Sequence, residues 1–217
     1  MSGAALSKGP IFFGPFLVTS QVCGRHLFFS LTPFLVRMSP LSFLVFYITP
    51  LSFALVNLKP ILPGHVLVSP RRCVPRVADL TPAETVDLFL TVRRIGRMVE
   101  RVFGASSLNI AIQDGLDAGQ SVPHVHAHLI PRRGADLDAR GGTDAIYSML
   151  DGDEGDLGRI HREMESEEKR ATKMTPSNHR RSGFPAVDND RRVARSEGEM
   201  THEAEMLARE MEKEPED

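Results

Sequence analysis

The sequence predicts an α+β fold in which strands and one long helix share residues 1–150. Three observations carry this prediction: a strand, turn and strand pattern over residues 51–68, a helical apolar repeat over residues 81–104, and apolar alternation over residues 108–113 and 124–130. Strands and a helix with one apolar face each can bury those faces in a single core. We therefore expect one domain of normal size in this part of the chain.

The first pattern has the features of an antiparallel hairpin. Residues 51–56 have the composition of a strand, residues 60–64 hold two prolines and a glycine, and residues 65–68 resemble a second strand. Because the turn pattern lies between them, we expect the two strands to pair.

The long helix is expected to begin after Thr81 and to end at Gly104. Thr81 suits the N-cap, Pro82 suits the first helical position, and Glu84 completes a capping box. Four arginines lie off the apolar stripe, and we expect a solvated face, because no aromatic residues are interleaved as in a nucleic-acid patch. The stripe consists of Leu88, Val92, Ile95, Val99 and Val102, and the arginines are Arg93, Arg94, Arg97 and Arg101.

Composition limits the classes of partner. The 217 residues carry a formal net charge of -2, which excludes a nucleic-acid surface that depends on bulk positive charge. The 2 cysteines are too few for a disulfide framework or a thiolate zinc site. Residues 1–10 lack the pattern of a secretory signal, so we expect a cytoplasmic or nuclear protein.

Residues 38–58 carry no charge and are long enough for a membrane span. Pro40 and Pro50 interrupt this run, which is rich in β-branched and aromatic residues and continues into the hairpin pattern. We therefore expect no membrane partner.

The last third of the chain differs in composition. Residues 151–195 are rich in charged residues and poor in aliphatic ones. Burial of so few aliphatic side chains cannot offset the entropy lost on ordering, so we predict a mostly disordered segment. Residues 196–217 are predicted to hold a short helix and a tail, because Ser196 and Glu199 have capping-box spacing. The stripe expected to dock this helix consists of Met200, Ala204, Leu207 and Met211.

Three histidines alternate with apolar residues at His124, His126 and His128. A period of two predicts that they lie on one face of a strand, with Val125, Ala127 and Leu129 on the other. At this rise the outer two Cα atoms are about 13 Å apart, too far for one metal ion to bind all three rings. A two-histidine metal site at His124 and His126 and a structural histidine ladder remain open. The pattern favours nucleophilic chemistry on phosphorus.

An imidazole is a competent nucleophile because its pKa of about 6.5 leaves a free lone pair near neutral pH. We expect the central His126 to be the attacking group, with its neighbours fixing its tautomer or donating to phosphate oxygens. The preceding loop offers flexibility, a hydroxyl and consecutive backbone N–H groups for an anionic phosphate. This loop consists of Gly119, Gln120, Ser121 and Val122.

This loop, followed directly by His124-x-His126-x-His128, resembles the histidine triad superfamily. Further segments resemble its fragile histidine triad branch, the dinucleoside polyphosphate hydrolases. The resemblance implies the histidine triad fold, an α+β sandwich with a mainly antiparallel sheet and a long helix, and a homodimer. It also implies hydrolysis of diadenosine triphosphate to AMP and ADP. The segments are residues 51–57, 59–60, 63–68, 113–115, 118–120, 145–147 and 195–200.

The resemblance implies a role for each residue of the site. His126 matches the nucleophile that becomes nucleotidylated, His124 its supporting neighbour, and His128 a residue that binds phosphate and assists the leaving group. His65 matches a buried partner that orients the triad, and Asn57 a ribose contact. The remaining substrate contacts implied are Gln113, at a phosphate or bridging oxygen, and the phosphate loop of Gly119, Gln120, Ser121 and Val122.

The chain departs from the family over residues 23–47, an apolar insertion. Our hypothesis is a retained intron or an error in the gene model, and the alternative is a genuine insertion or membrane-contact loop. The alternatives for function are a nucleotide-binding signalling module with little turnover and a nucleoside phosphoramidase. We expect no resident metal, only magnesium or manganese bound with the polyphosphate.

Overall fold

A five-stranded antiparallel sheet forms the centre of the fold. The computed structural model describes residues 11–14, 16–18, 44–151 and 195–215. The predicted disorder of residues 151–195 and most of the predicted insertion at 23–47 therefore lie outside the described residues. No helix within the described ranges combines the length and the apolar character needed to cross a membrane.

The described strands form two sheets, an N-terminal hairpin and the main sheet. β1 and β2 pair only with each other, and the main sheet has the order β3-β4-β5-β7-β6, with every pair antiparallel. The bounds are β1 Ile11–Phe13, β2 Phe16–Val18, β3 Val45–Ile48, β4 Ser52–Val56, β5 Val66–Pro70, β6 Ser107–Ile112 and β7 Ala127–Arg132.

In the described part of the chain, three α-helices accompany the sheet: α1 Pro82–Phe103, α2 Ala145–Asp151 and α3 Glu197–Met211. α1 begins and ends where the sequence predicts. The Thr81 side chain accepts from the Glu84 N–H, the Glu84 carboxylate accepts from the Thr81 N–H, and Gly104 ends the helix at a φ of 58°. These caps satisfy backbone groups that a helix end leaves unpaired, so the prediction of α1 is confirmed.

The predicted hairpin is confirmed as β4 and β5, which pair directly. The turn between them depends on Gly64, which has a φ of +83° and whose hydrogen faces the Phe103 ring. A Cβ there would lie 2.5 Å from the ring, so only glycine fits. This turn carries His65 into the start of β5.

β3 contains the last residues that the sequence assigns to the insertion. Val45, Phe46 and Leu44 are buried, and Val45 pairs with Leu55 of β4. The apolar character of this stretch is therefore accounted for by burial in the core, because β3 extends the main sheet and receives α3.

The two faces of the sheet bury different clusters. α1 and α3 cover one face and share the main core with alternate residues of β7, among them Ala127 and Leu129. Ile130 points to the other face, where it packs with Ile146 and other residues near α2. The histidines alternate with the core residues, as the sequence predicts.

α3 confirms the predicted C-terminal helix. Ser196 and Glu199 form the capping box, and the residues of the predicted stripe are all buried against the main core. The prediction of a solvated arginine face on α1 is confirmed for Arg93 and Arg101, which are exposed, and is wrong for Arg94, whose Nε is buried. Arg94 donates to the Glu214 carbonyl oxygen, and Arg101 donates to the Glu214 carboxylate, because the segment after α3 lies against α1.

Candidate active site

The three triad histidines are buried together, but only one of them lies in a regular strand. The strand predicted for residues 124–130 begins at Ala127, so the prediction that His124 and His126 belong to it is wrong. The chain turns at this point, where the His124 N–H donates to the Val122 carbonyl at 2.7 Å. The histidines nevertheless remain adjacent, with 5.0 Å between the ring centroids of His126 and His128.

His124 uses both ring nitrogens to hold neighbouring backbone. Its Nδ1 accepts from the Gly14 N–H at 3.0 Å, so the proton lies on Nε2, which donates to the Pro70 carbonyl at 2.8 Å. Burial lowers the pKa of His124 to about 4, and the nearby His126 contributes in the same direction. His124 is therefore neutral and links the N-terminal hairpin to β5 through two hydrogen bonds, which leave neither ring nitrogen available to a metal ion.

Gly14 fits this contact because it lacks a side chain. Its φ is +57°, and a Cβ would lie 2.6 Å from Cγ1 of Val122 in the predicted phosphate loop. The neighbouring Phe13 ring packs against two of the histidines, with centroids 5.5 Å from His124 and 5.4 Å from His126. The β1–β2 turn therefore forms one wall of the site.

His126 has a single tautomer that suits a nucleophile. Its Nδ1 lies 2.7 Å from the His124 carbonyl oxygen, which can only accept, so Nδ1 carries the proton and Nε2 carries the lone pair. Burial lowers the pKa of His126 below its ordinary value. The ring is therefore neutral and ready to attack at neutral pH.

His128 completes a directed chain of hydrogen bonds. The Ile61 N–H donates to Nδ1 of His65 at 3.2 Å, which leaves the His65 proton on Nε2 to donate to Nδ1 of His128 at 3.0 Å. His128 then carries its own proton on Nε2, a buried atom with no partner among the described residues. Burial holds the pKa of His128 well below its ordinary value. The site thus presents one lone pair and one N–H donor side by side.

Asn57 supports His65 from the end of β4. Its amide nitrogen is 3.3 Å from both ring nitrogens of His65, an equal spacing that places it over the ring face and outside the ring plane. Its oxygen accepts from the Lys59 N–H at 3.1 Å. In this structure the Asn57 side chain therefore contacts the His65 ring, and its predicted contact with a ribose remains a prediction.

The glutamines of the site contact protein groups. The Gln113 amide donates to the Leu150 carbonyl at 3.1 Å, which joins the end of β6 to α2. Gln120 closes its own loop, since its oxygen accepts from the Gly115 N–H at 3.1 Å and its nitrogen donates to the Pro75 carbonyl at 2.9 Å. The substrate roles of both residues remain predictions.

The predicted phosphate loop lies immediately before His124. Gly119 has a φ of +84°, Ser121 is partly exposed, and Val122 is buried against Gly14. Two sets of contacts therefore fix the loop: the hydrogen bonds of Gln120 and the packing of Val122 against Gly14 of the N-terminal hairpin.

Sequence reasoning missed the groups that fix the histidines from a distance. These groups come from four separate segments, and most of them act through the backbone, which leaves little trace in residue type. Gly14 between two apolar strands was the one available signal. The missed residues are Phe13, Gly14, Ile61, Pro70 and Arg195.

Within the described part of the chain, no group of three or more His, Cys, Asp or Glu side chains is arranged to hold a metal ion. The two-histidine site left open by the sequence is not supported, because both nitrogens of His124 are engaged.

Comparison with known proteins gives consistent matches. Residues 42–135 match the model of the HIT domain family. A bis(5'-nucleosyl)-tetraphosphatase (asymmetrical) of Schizosaccharomyces pombe is 49% identical over 168 residues, 77% of this chain and 88% of that protein. A bis(5'-adenosyl)-triphosphatase of Dictyostelium discoideum is 46% identical over 144 residues, 66% of this chain and 89% of that protein.

A solved structure shows the same fold. The crystal structure of Plasmodium falciparum diadenosine triphosphate hydrolase in complex with cyclomarin A aligns with 95% of this chain and 87% of its own. The TM-score is 0.57 and the sequence identity is 22%. At this identity the likeness concerns the fold alone.

The antiparallel sheet, the covering helices and the buried imidazoles define a class of protein that presents a reactive histidine at the start of a sheet strand. The family match and the two relatives, each covered over most of its length, then settle the assignment. This chain belongs to the HIT domain family. The resemblance to the histidine triad superfamily is thus confirmed.

Proposed function

We propose that this protein hydrolyses dinucleoside polyphosphates and splits diadenosine triphosphate into AMP and ADP, through a nucleotide bound covalently to His126. The names of the two relatives support this substrate class, since one is a bis(5'-nucleosyl)-tetraphosphatase and the other a bis(5'-adenosyl)-triphosphatase. The two names refer to substrates with different phosphate bridges, four phosphates in one and three in the other. Diadenosine triphosphate and diadenosine tetraphosphate should therefore both be assayed.

The observation that carries the proposal is the protonation pattern of the two adjacent rings. His126 has its proton on Nδ1 and its lone pair on Nε2, whereas His128 has a buried Nε2–H that no described residue accepts. A nucleophile and a hydrogen-bond donor in this arrangement can act on one phosphoryl group at the same time.

In the first step, Nε2 of His126 attacks the α-phosphorus. The N–P bond forms while the bond from that phosphorus to the bridging oxygen breaks, and ADP leaves with the electron pair. The terminal phosphate of ADP is largely ionised near neutral pH, so its oxygen needs only a hydrogen bond, which the Nε2–H of His128 supplies. The His124 carbonyl stabilises the positive charge that develops on the His126 ring.

In the second step, water attacks the same phosphorus. The N–P bond breaks, its electron pair returns to Nε2 of His126, and AMP is released. The surplus proton of the water passes to solvent, so the enzyme returns to its starting protonation state.

We infer that magnesium or manganese enters with the polyphosphate. A divalent cation neutralises phosphate charge and prefers oxygen ligands, which the substrate supplies. The His124 nitrogens and the protonated Nδ1 of His126 offer it no ligand.

We also infer a homodimer that forms along β6. Among the described strands, β6 is at one edge of the main sheet and has a neighbour, β7, on one side only. Ile110 on this strand is 52% exposed, so the edge presents both unpaired backbone groups and an apolar side chain. A second copy paired edge to edge would cover both.

The test of the proposed reaction is His126→Asn. Asparagine has no nucleophilic ring nitrogen, so diadenosine triphosphate and tetraphosphate should still bind while AMP release falls to background. Rapid acid quench of the wild-type protein with labelled substrate, followed by peptide mapping, should place labelled AMP on His126.

The matched control is His202→Asn, at an exposed histidine of α3. This variant should keep wild-type turnover. A label on His124 or His128, or turnover with no adduct at any histidine, would show that the nucleophile is misassigned.

A further inference from the structure

Arg195 joins the C-terminal helix to the end of β4. Its guanidinium donates to the Asn57 carbonyl, its backbone N–H donates to the Leu58 carbonyl at 3.3 Å, and a second guanidinium nitrogen pairs with Glu203 of α3. The Arg195 side chain is largely buried, with 20% exposure. The arginine therefore fixes the backbone at two consecutive residues.

The backbone that Arg195 fixes includes Asn57, whose side chain contacts the His65 ring. Asn57 follows β4 directly, its amide covers the face of the His65 ring, and it is buried. His65 in turn donates to His128. Arg195 is thus connected to the N–H donor of the site through two intervening side chains.

We propose that Arg195 is a positioning residue that holds His65 and His128 in the tautomers described above, an inference that rests on the function proposed for the site. Asn57 can limit rotation of the His65 ring only while its own backbone is fixed. With Arg195 removed, the carbonyl of Asn57 loses its charged donor and the amide shifts from the ring. The His65 ring can then rotate away from the Ile61 N–H, the contact that confines its proton to Nε2.

Docking of α3 does not depend on this arginine alone. Leu207 and Ala204 are fully buried against the sheet, and beyond the helix Glu214 accepts from Arg101 at 2.6 Å. A variant at Arg195 should therefore keep α3 in place, which separates the positioning role from a contribution to folding.

The main variant is Arg195→Met, which keeps an unbranched apolar side chain and removes the charge and the donors. We expect kcat to fall about tenfold, with KM changed much less, because a small displacement of a catalytic donor is costly. Arg209→Met is the matched control, since Arg209 pairs with Glu205 on the exposed face of the same helix. It should leave kcat unchanged.

Two further variants distinguish positioning from stability. Leu207→Ala should lower the melting temperature without lowering kcat at temperatures where the protein is folded. Glu203→Gln removes only the ion pair that steadies Arg195, so it should reduce kcat in the same direction as Arg195→Met by a smaller factor. Glu203→Gln also supplies the result if Arg195→Met does not fold.

A readout independent of activity is the tautomer of each histidine. Long-range proton–nitrogen NMR spectra of the full chain should show Nε2–H at His65 and His128 in the wild type and in Arg209→Met. In Arg195→Met the His65 signals should shift towards a mixture of the two tautomers.

The inference is overturned if Arg195→Met keeps both the wild-type kcat and the wild-type tautomers. It also fails if Leu207→Ala produces the same tautomer change, because the effect would then reflect helix docking in general. Absence of turnover in the wild-type protein would count against the proposed function, whereas the NMR comparison would still decide the role of Arg195.

Discussion

The site consists of neutral imidazoles whose protons are assigned by backbone groups. The Gly14 N–H determines the tautomer of His124, the His124 carbonyl that of His126, and the Ile61 N–H that of His65. A side-chain substitution leaves these main-chain N–H and C=O groups in place. The chemistry therefore depends on where the chain runs as much as on which residues it holds.

Gly14→Ala tests one of these backbone contacts. The new Cβ would meet Val122 and the backbone would keep an unfavourable positive φ, so the β1–β2 turn should move away from His124. We expect a loss of about 1–3 kcal/mol in the free energy of unfolding and weaker turnover. Urea denaturation and an AMP-release assay measure the two effects.

Gly134→Ala provides the comparison for this substitution. No atom lies within 4 Å of the position that its Cβ would take, so stability should stay within experimental error of the wild type. An unchanged urea midpoint for Gly14→Ala would mean that the N-terminal hairpin does not need this close approach.

At the scale of secondary structure, the sequence predicted the elements that have local signals. α1 and α3 were found because Thr81 and Ser196 begin capping boxes and an apolar stripe follows each of them. The alternation of histidines predicts a strand that starts at His124, whereas β7 begins at Ala127. His124 instead bonds to Gly14 and Pro70, which lie 110 and 54 residues away along the chain.

The same reasoning explains which parts of the site were found. His126 and His128 were identified because they form a dense local pattern, and His65 and Asn57 because a family resemblance supplied them. Arg195 lies in a segment that shares the family resemblance, but the resemblance implies no role for it, and its contact with Asn57 spans 138 positions. Contacts of this length follow from the packing of α3 against the sheet, which a single sequence does not specify.

The β6 edge gives a prediction at the same scale. Ile110→Lys places a charge on the exposed edge, where lysine opposes edge-to-edge pairing. Light scattering after size exclusion should show a dimer for the wild-type protein and a monomer for Ile110→Lys. Leu116→Lys, at an exposed residue outside the strands, should leave the dimer intact. A monomeric wild-type protein would exclude the proposed interface.

For the whole molecule, the buried histidines make stability depend on pH. The folded pKa of His124, about 4, lies below its value of about 6.5 in an unfolded chain, and the pKa values of His126 and His128 are also lowered. The unfolded state therefore binds more protons between these values, so stability is complete above about pH 6.5 and is lost as the pH falls towards 4. His124 alone should contribute about 3 kcal/mol to this loss.

Urea midpoints measured at several pH values between about 5.5 and 7.5 test this dependence. Within that window most carboxylates stay ionised in both states, so the slope reports mainly on histidine. His126→Asn should give a shallower slope, because it removes one of the groups with a lowered pKa. A flat profile for the wild type would show that the triad is not buried in its neutral form in solution.

The long separations between the residues that meet at the site have a consequence for protein synthesis. A nascent chain released as far as residue 151 contains every strand of the main sheet and all four imidazoles of the site. It still lacks Arg195, which contacts Asn57 across 138 positions, and it lacks α3. Domains tend to fold as they emerge, and contacts this distant form late because loop closure costs entropy. The ribosome therefore releases the imidazoles of the site before Arg195, and the newly made protein should reach full activity only after Arg195 and α3 have left the exit tunnel.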